Sequence, residues 1–140
     1  MKGLDGLPDH PARAASIASV TAVEAGDRDG WLALFAPDAV VADPIGPSPL
    51  DPTGNRHHGV EAIAAFYDTV IAQVQISFDI RESYACGAEC ANVGTITSTF
   101  PDGSKGVVNG VYTYRVDEQG RLASVRAFWE FEAMQFIPGP

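Results

Sequence analysis

Asp43 closes an apolar run, Ala39-Val-Val-Ala-Asp43, and stands directly before Pro44. A single carboxylate at the mouth of such a strand sits where loss of water raises its affinity for a proton. That is the property a general base needs near neutral pH. The same residue can instead make an Asx turn ahead of Pro44-Ile-Gly46, so the bare sequence leaves both roles open. Other candidate chemistry is sparse. Cys86 and Cys90 form a Cys-x3-Cys, not the Cys-x2-Cys of zinc knuckles and redox helices, and read as two reduced thiols near a strand turn. His10, His57 and His58 are too few and too scattered for a metal site, so neither metal nor cofactor is expected.

The elements that must hold Asp43 can be read from pattern and punctuation. A first helix is expected from Pro11, with Asp9 as N-cap, an apolar side of Ala15, Ile17, Ala18, Val20, Ala22 and Val23, and Gly26 as a left-handed stop. Asp27 then caps a short helix over 30–35, and Pro37-Asp38 turns the chain into a strand over 39–43. Residues 44–58 hold four prolines and two glycines and read as a long loop. Such loops in compact domains often cover functional sites. A third helix is expected over 59–74, with Val60, Ile63, Phe66, Tyr67 and Val70 on one face. Strands follow over 74–85, 90–100, 106–116 and 122–136, with Asp102-Gly103 marking a hairpin turn. Helices first and an antiparallel sheet afterwards imply an α+β fold. A strongly curved sheet wrapped over the helices would enclose a conical pocket.

At 140 residues the chain is expected to be one domain over 1–140, with 1–10 a flexible N-terminal extension. Nine basic residues against 18 acidic ones give a net charge of −9, which disfavours nucleic acid or an anionic membrane as partner. No apolar run approaches the roughly 20 residues of a membrane span. The N-terminus lacks the apolar core of a signal peptide, so a cytoplasmic protein is expected.

Three stretches then carry a family likeness. Ala25-Gly-Asp-Arg-Asp-Gly30, Leu34-Phe-Ala-Pro-Asp-Ala-Val-Val41 and Asp43-Pro-Ile-Gly46 together resemble the run that ketosteroid isomerases of the nuclear-transport-factor-2-like superfamily carry around their catalytic aspartate. The similarity continues through Gly59-x-x-Ala-Ile-x-x-Phe-Tyr67 and from Val111 to Trp129. The resemblance implies a cystatin-like α+β barrel, a cone-shaped sheet over three helices, in which Asp43 takes a proton from the carbon beside a ketone and returns it two carbons along. It implies a hydrophobic steroid-like or polyketide-like ligand and donors that stabilise the enolate oxygen from the opposite wall. The family's main oxyanion tyrosine falls on Ser19, a shorter and less acidic donor, and its protonated aspartate donor falls on Tyr112. Tyr67 matches a supporting tyrosine, Trp129 an aromatic of the steroid site, and Phe35 and Phe66 are expected to contact substrate. The base is kept and the oxyanion hole is altered.

Strand alternation adds a separate expectation. If Tyr112 points inward, so do Val108, Gly110, Tyr114 and Val116, and if Trp129 does, so do Val125, Ala127 and Phe131. The other face carries Thr113, Arg115, Arg126, Phe128, Glu130 and Glu132 and reads as solvated. By resemblance, a homodimer would form through that outer face. Two rival readings remain: a polyketide or epoxide-opening cyclase, which would want a second acid or a histidine across the cavity (Glu82 or Glu130 among the acids), and a steroid- or lipid-binding module without catalysis. His57 and His58 are the titratable groups of the long loop near neutral pH, and are read as solvated.

Overall fold

A computed structural model describes residues 3–140. Helix α1 spans Pro11–Ala25 and ends on Gly26, whose backbone takes the left-handed conformation at φ 67°. Its cap is His10 rather than Asp9. Pro11 occupies the first helical position, so the residue just before it must be the cap, and His10 Nδ1 accepts from the Ala12 amide at 3.1 Å. Helix α2, Arg28–Leu32, is capped by Asp27, which accepts from the Gly30 amide at 3.0 Å. It stops earlier than expected because Phe35 already pairs with Leu122, far along the chain.

Strand β1 therefore runs Phe35–Ala42 and includes Pro37 and Asp38, which the sequence suggested as a turn. The register slips between Phe35 and Val40, and Pro37 and Asp38 stay exposed at that bulge, where a proline forfeits no ladder bond. The long loop is less irregular than expected. Ser48 and Asp51 form a bridge, and His57–His58 makes a two-residue strand, β2, antiparallel to Val40 and Val41. Helix α3 covers Gly59–Thr69 and gives way to a 3₁₀ turn, Ile71–Gln73.

Strands β3 (Gln75–Cys86), β4 (Glu89–Thr99) and β5 (Lys105–Val116) form an antiparallel meander. The expected last strand is broken in two: β6 is Leu122–Phe128, and β7 is Gln135–Ile137 after a 3₁₀ turn at Phe131–Ala133. Both pair with the same strand, β5, at its two ends. The sheet order is β2-β1-β6-β5-β4-β3, with one parallel pair, β1 with β6. Gly94 and Gly110 face each other across β4 and β5. A Cβ on Gly94 would collide with the Asp79 carbonyl, and one on Gly110 with the Phe128 carbonyl. Such close backbone approach is a role glycine fills within a bent sheet.

The result is a curved α+β sheet, not closed into a barrel, packed on few helices. Its core holds Ala12, Val20, Ile63, Val41 and Leu122, and Leu4 of the first ten residues is buried with them at 3% exposure. No described helix is long and apolar enough to cross a membrane.

Candidate functional site

Between α1, α3 and the concave face of the sheet lies a cavity of about 410 Å³. Its walls are mostly apolar, with Val23, Val70, Ile76, Phe78, Val108 and Phe131 among them. The volume falls within the range of small-molecule pockets, roughly 300–1,000 Å³.

Asp43 reaches this cavity because β1 ends at its wall. Ala42 pairs with Arg126 of β6, and Asp43 follows one residue later, where the Ile45 amide donates to the Ala127 carbonyl at 3.0 Å. The Asp43–Pro44 bond is cis. The indole N–H of Trp129 donates to Asp43 Oδ1 at 2.7 Å, a short charge-assisted bond, and no bond is made by Oδ2 among the described residues. Loss of water raises the proton affinity of Asp43. The Trp129 bond and the nearby His57 imidazole pull the other way without cancelling it. Trp129 lies one residue past the end of β6 and Phe131 in the 3₁₀ turn, yet both line the cavity, as alternation suggested for an unbroken strand.

Tyr112 and Tyr114 enter from β5. They stand two residues apart and share the inner face, with residue exposures of 3% and 5%. Tyr112 pairs with Asn92 on one side and Ala127 on the other; Tyr114 pairs with Cys90 and Val125. Burial first, and the charge of Asp43 second, push both phenols well above their usual range, so both remain protonated donors. The Tyr112 hydroxyl donates to the Gly94 carbonyl across a long 3.4 Å. Ser19 lines the cavity from α1 and accepts the Trp31 indole N–H at 3.0 Å.

Of the residues singled out from sequence, Asp43, Tyr112, Ser19, Phe66 and Trp129 come together around one space. Phe35 and Tyr67 do not line it. Each packs against Trp31, at centroid distances of 4.8 and 5.5 Å, in the core behind the cavity wall. Phe35 is drawn there by its pairing with Leu122, and Tyr67 by the inward face of α3. Glu82 and Glu130 are exposed, so neither supplies a second acid inside. Among the described residues no three His, Cys, Asp or Glu side chains gather as a metal site, and Cys86 and Cys90 are free thiols.

Two residues gain a place that sequence reading did not give them. Tyr114 was visible as an inward position but carried no role. His57 was read as solvated, yet it pairs opposite Val41, its ring lies 4.5 Å from Phe66, and its Nε2 is buried without a partner. The signal was missing because a two-residue strand inside a proline-rich loop has no periodicity to detect.

A family model described as a SnoaL-like domain matches residues 17–125. The steroid Delta-isomerase of Nocardioides simplex is 29% identical over 117 residues, covering 84% of this chain and 88% of that protein. Among solved structures, the Delta 5-3-ketosteroid isomerase from Mycobacterium sp. superposes with a TM-score of 0.87 at 41% identity, over 91% of this chain and 99% of that one. A Mycobacterium tuberculosis protein in complex with estradiol-17beta-hemisuccinate is 39% identical, with a TM-score of 0.86, over 91% of this chain and all of that one, 100%.

Proposed function

The chain belongs to the SnoaL-like domain family within the nuclear-transport-factor-2-like superfamily, and from that premise we propose that it is a steroid delta-isomerase-like enzyme, shifting a double bond in a hydrophobic polycyclic ketone. Asp43 is the proton shuttle. Its carboxylate removes a proton from the carbon beside the ketone, negative charge moves onto the carbonyl oxygen, and the proton is returned two carbons along. Tyr112, a protonated phenol on the cavity wall, assists in holding the developing oxyanion. Ser19, Phe66 and Trp129 contact the ligand from the surrounding walls.

The observation that carries this reading is the state of Asp43. It is one carboxylate in an apolar cavity, held by a single indole N–H, with its proton affinity raised by the loss of water. A base with that affinity, on a dry wall, suits abstraction of a weakly acidic C–H. The family likeness to steroid isomerases and the steroid-bound relative support the ligand class. A homodimer through the outer sheet face is part of the proposal. Phe128, 45% exposed beneath the Arg126 guanidinium, and Tyr84, 61% exposed, lie on that face.

A non-catalytic binding module is the second reading, and Ser19 is what favours it: the helix α1 donor is a short side chain whose oxygen accepts from the Trp31 indole N–H. A cyclase is favoured less, since Glu82 and Glu130 face solvent and His57 lies on the Asp43 side rather than across from it. Incubation with a 5-ene-3-ketosteroid, followed by conjugated-enone absorbance, separates the first two. Conversion that falls by about 10³-fold in Asp43→Asn, within the reach of general-base catalysis, is the expected result. Saturable binding without conversion, unchanged in Asp43→Asn, would establish the binding module instead.

A further inference from the structure

We propose that Tyr114 is the principal donor to the ligand's carbonyl oxygen, taking over what the short Ser19 hydroxyl cannot do; this rests on the ketone-binding reading above and names the residue that would hold the oxygen.

Three hydroxyls face the cavity, and they differ in what else they touch. Ser19 Oγ accepts from the Trp31 indole N–H, which leaves its own proton free but on a short side chain rooted in α1. The Tyr112 hydroxyl points at the Gly94 carbonyl. The Tyr114 hydroxyl makes no hydrogen bond among the described residues, although the residue is 5% exposed. Buried phenols almost always find a partner. Here the hydroxyl is not sealed in protein, since Tyr114 lines the cavity, so the partner it lacks is one the cavity would admit.

Position admits the same assignment. Tyr114 stands in a row that crosses the sheet from Cys90 through Tyr114 and Val125 to Val41, and Asp43 lies two residues beyond Val41 on the same face. A ketone carbon and its oxygen can therefore lie between carboxylate and phenol. The charge of Asp43 reaches Tyr114 and strengthens its hold on its proton. When Asp43 takes the ligand's proton, that negative charge moves to the ligand oxygen. The repulsion felt by the phenol then becomes attraction to its own acceptor, so donation strengthens as the enolate forms. No bond to the phenolic proton breaks in this scheme. The electron pair of the C–H bond becomes the new carbon–carbon π bond, the carbonyl π pair moves onto the oxygen, and the proton ends on Asp43.

The ligand class that fits is an apolar skeleton bearing one ketone oxygen near its buried end. Tyr114→Phe and Tyr112→Phe are compared with the 5-ene-3-ketosteroid. Tyr114→Phe is expected to lower kcat about 10²-fold with KM held within about threefold, and Tyr112→Phe by less than about tenfold. The reverse ranking overturns the inference. If the unaltered protein converts no substrate, the isomerase reading fails but the donor assignment is still tested by binding. Tryptophan fluorescence then compares a saturated 3-ketosteroid with the same skeleton lacking the ketone. A preference for the ketone that disappears in Tyr114→Phe, with affinity for the oxygen-free skeleton unchanged, supports the assignment; a preference that survives refutes it. Protein labelled with ¹³Cζ-tyrosine gives a readout free of any folding defect. Ketone addition is expected to move the Tyr114 resonance more than that of Tyr112, and a larger movement of Tyr112 counts against the assignment.

Discussion

The two polar ends of the cavity are built differently. At the base end, Asp43 is held by one partner: Trp129 donates to one oxygen at 2.7 Å, His57 lies close, and the strand end fixes the backbone. At the donor end, two phenols from one strand and one serine from α1 share a wall, and one phenol has no partner at all among the described residues. A group that must change its charge during turnover needs a fixed geometry and a tuned proton affinity, which partners supply. A group that must recognise a ligand oxygen needs an unspent donor. On the proposed function, the contrast separates a residue held for chemistry from residues held open for binding.

Trp129→Phe tests the base end through the one group that donates to the carboxylate. It removes the N–H that favours the ionised carboxylate, so the proton affinity of Asp43 rises further. The acid limb of kcat/KM against pH is expected to move to higher pH, with activity at neutral pH falling about tenfold. Stability should drop by about 1.5–3 kcal/mol, the usual worth of a hydrogen bond to a charged group. An unmoved acid limb would show that the indole does not tune the base.

A smaller effect is expected for Asp43→Asn on stability. The folded protein raises the proton affinity of Asp43 above the ordinary carboxylate value of 3.8. Burying its charged form therefore costs stability at neutral pH, and that cost fades as pH falls through the raised value toward 3.8. Thermal melts should show Asp43→Asn more stable than the parent at pH 7, with the gap closing near pH 4. A gap that widens in acid would contradict the sign of the shift.

The uncommitted end predicts the smallest change. Tyr114→Phe deletes a hydroxyl with no protein partner, so denaturation without ligand should differ from the parent by less than about 0.5 kcal/mol. A loss of about 1 kcal/mol or more would reveal a partner and weaken the contrast between the two ends.

How legible each end was in the sequence follows from the range of the forces involved. Asp43 was legible because its placement is local: an apolar run, an acid, then Pro44, within one strand. The α1 stop at Gly26 and the Asp27 cap were legible for the same reason. Alternation tied the facing of Tyr114 to that of Tyr112, and both residues are buried. What each hydroxyl touches did not follow, because it depends on the register of β5 against β4 and β6 and on how α1 lies over them. Phe35 was misplaced as a ligand contact because its pairing with Leu122 spans most of the chain. The 3₁₀ break after Phe128 escaped notice because apolar alternation runs through it, from Val125 to Phe131, without a glycine or proline as warning.

The central claim is that one carboxylate in a water-poor cavity carries a proton between two carbons of the same ligand. A 5-ene-3-ketosteroid deuterated at the carbon between ketone and alkene tests it most directly, with the product read by mass spectrometry and NMR. Deuterium found two carbons along, retained well above the level set by exchange with water, is the predicted result. Complete loss of the label to solvent at the rate of turnover would mean that Asp43 works in contact with bulk water, and would contradict the account.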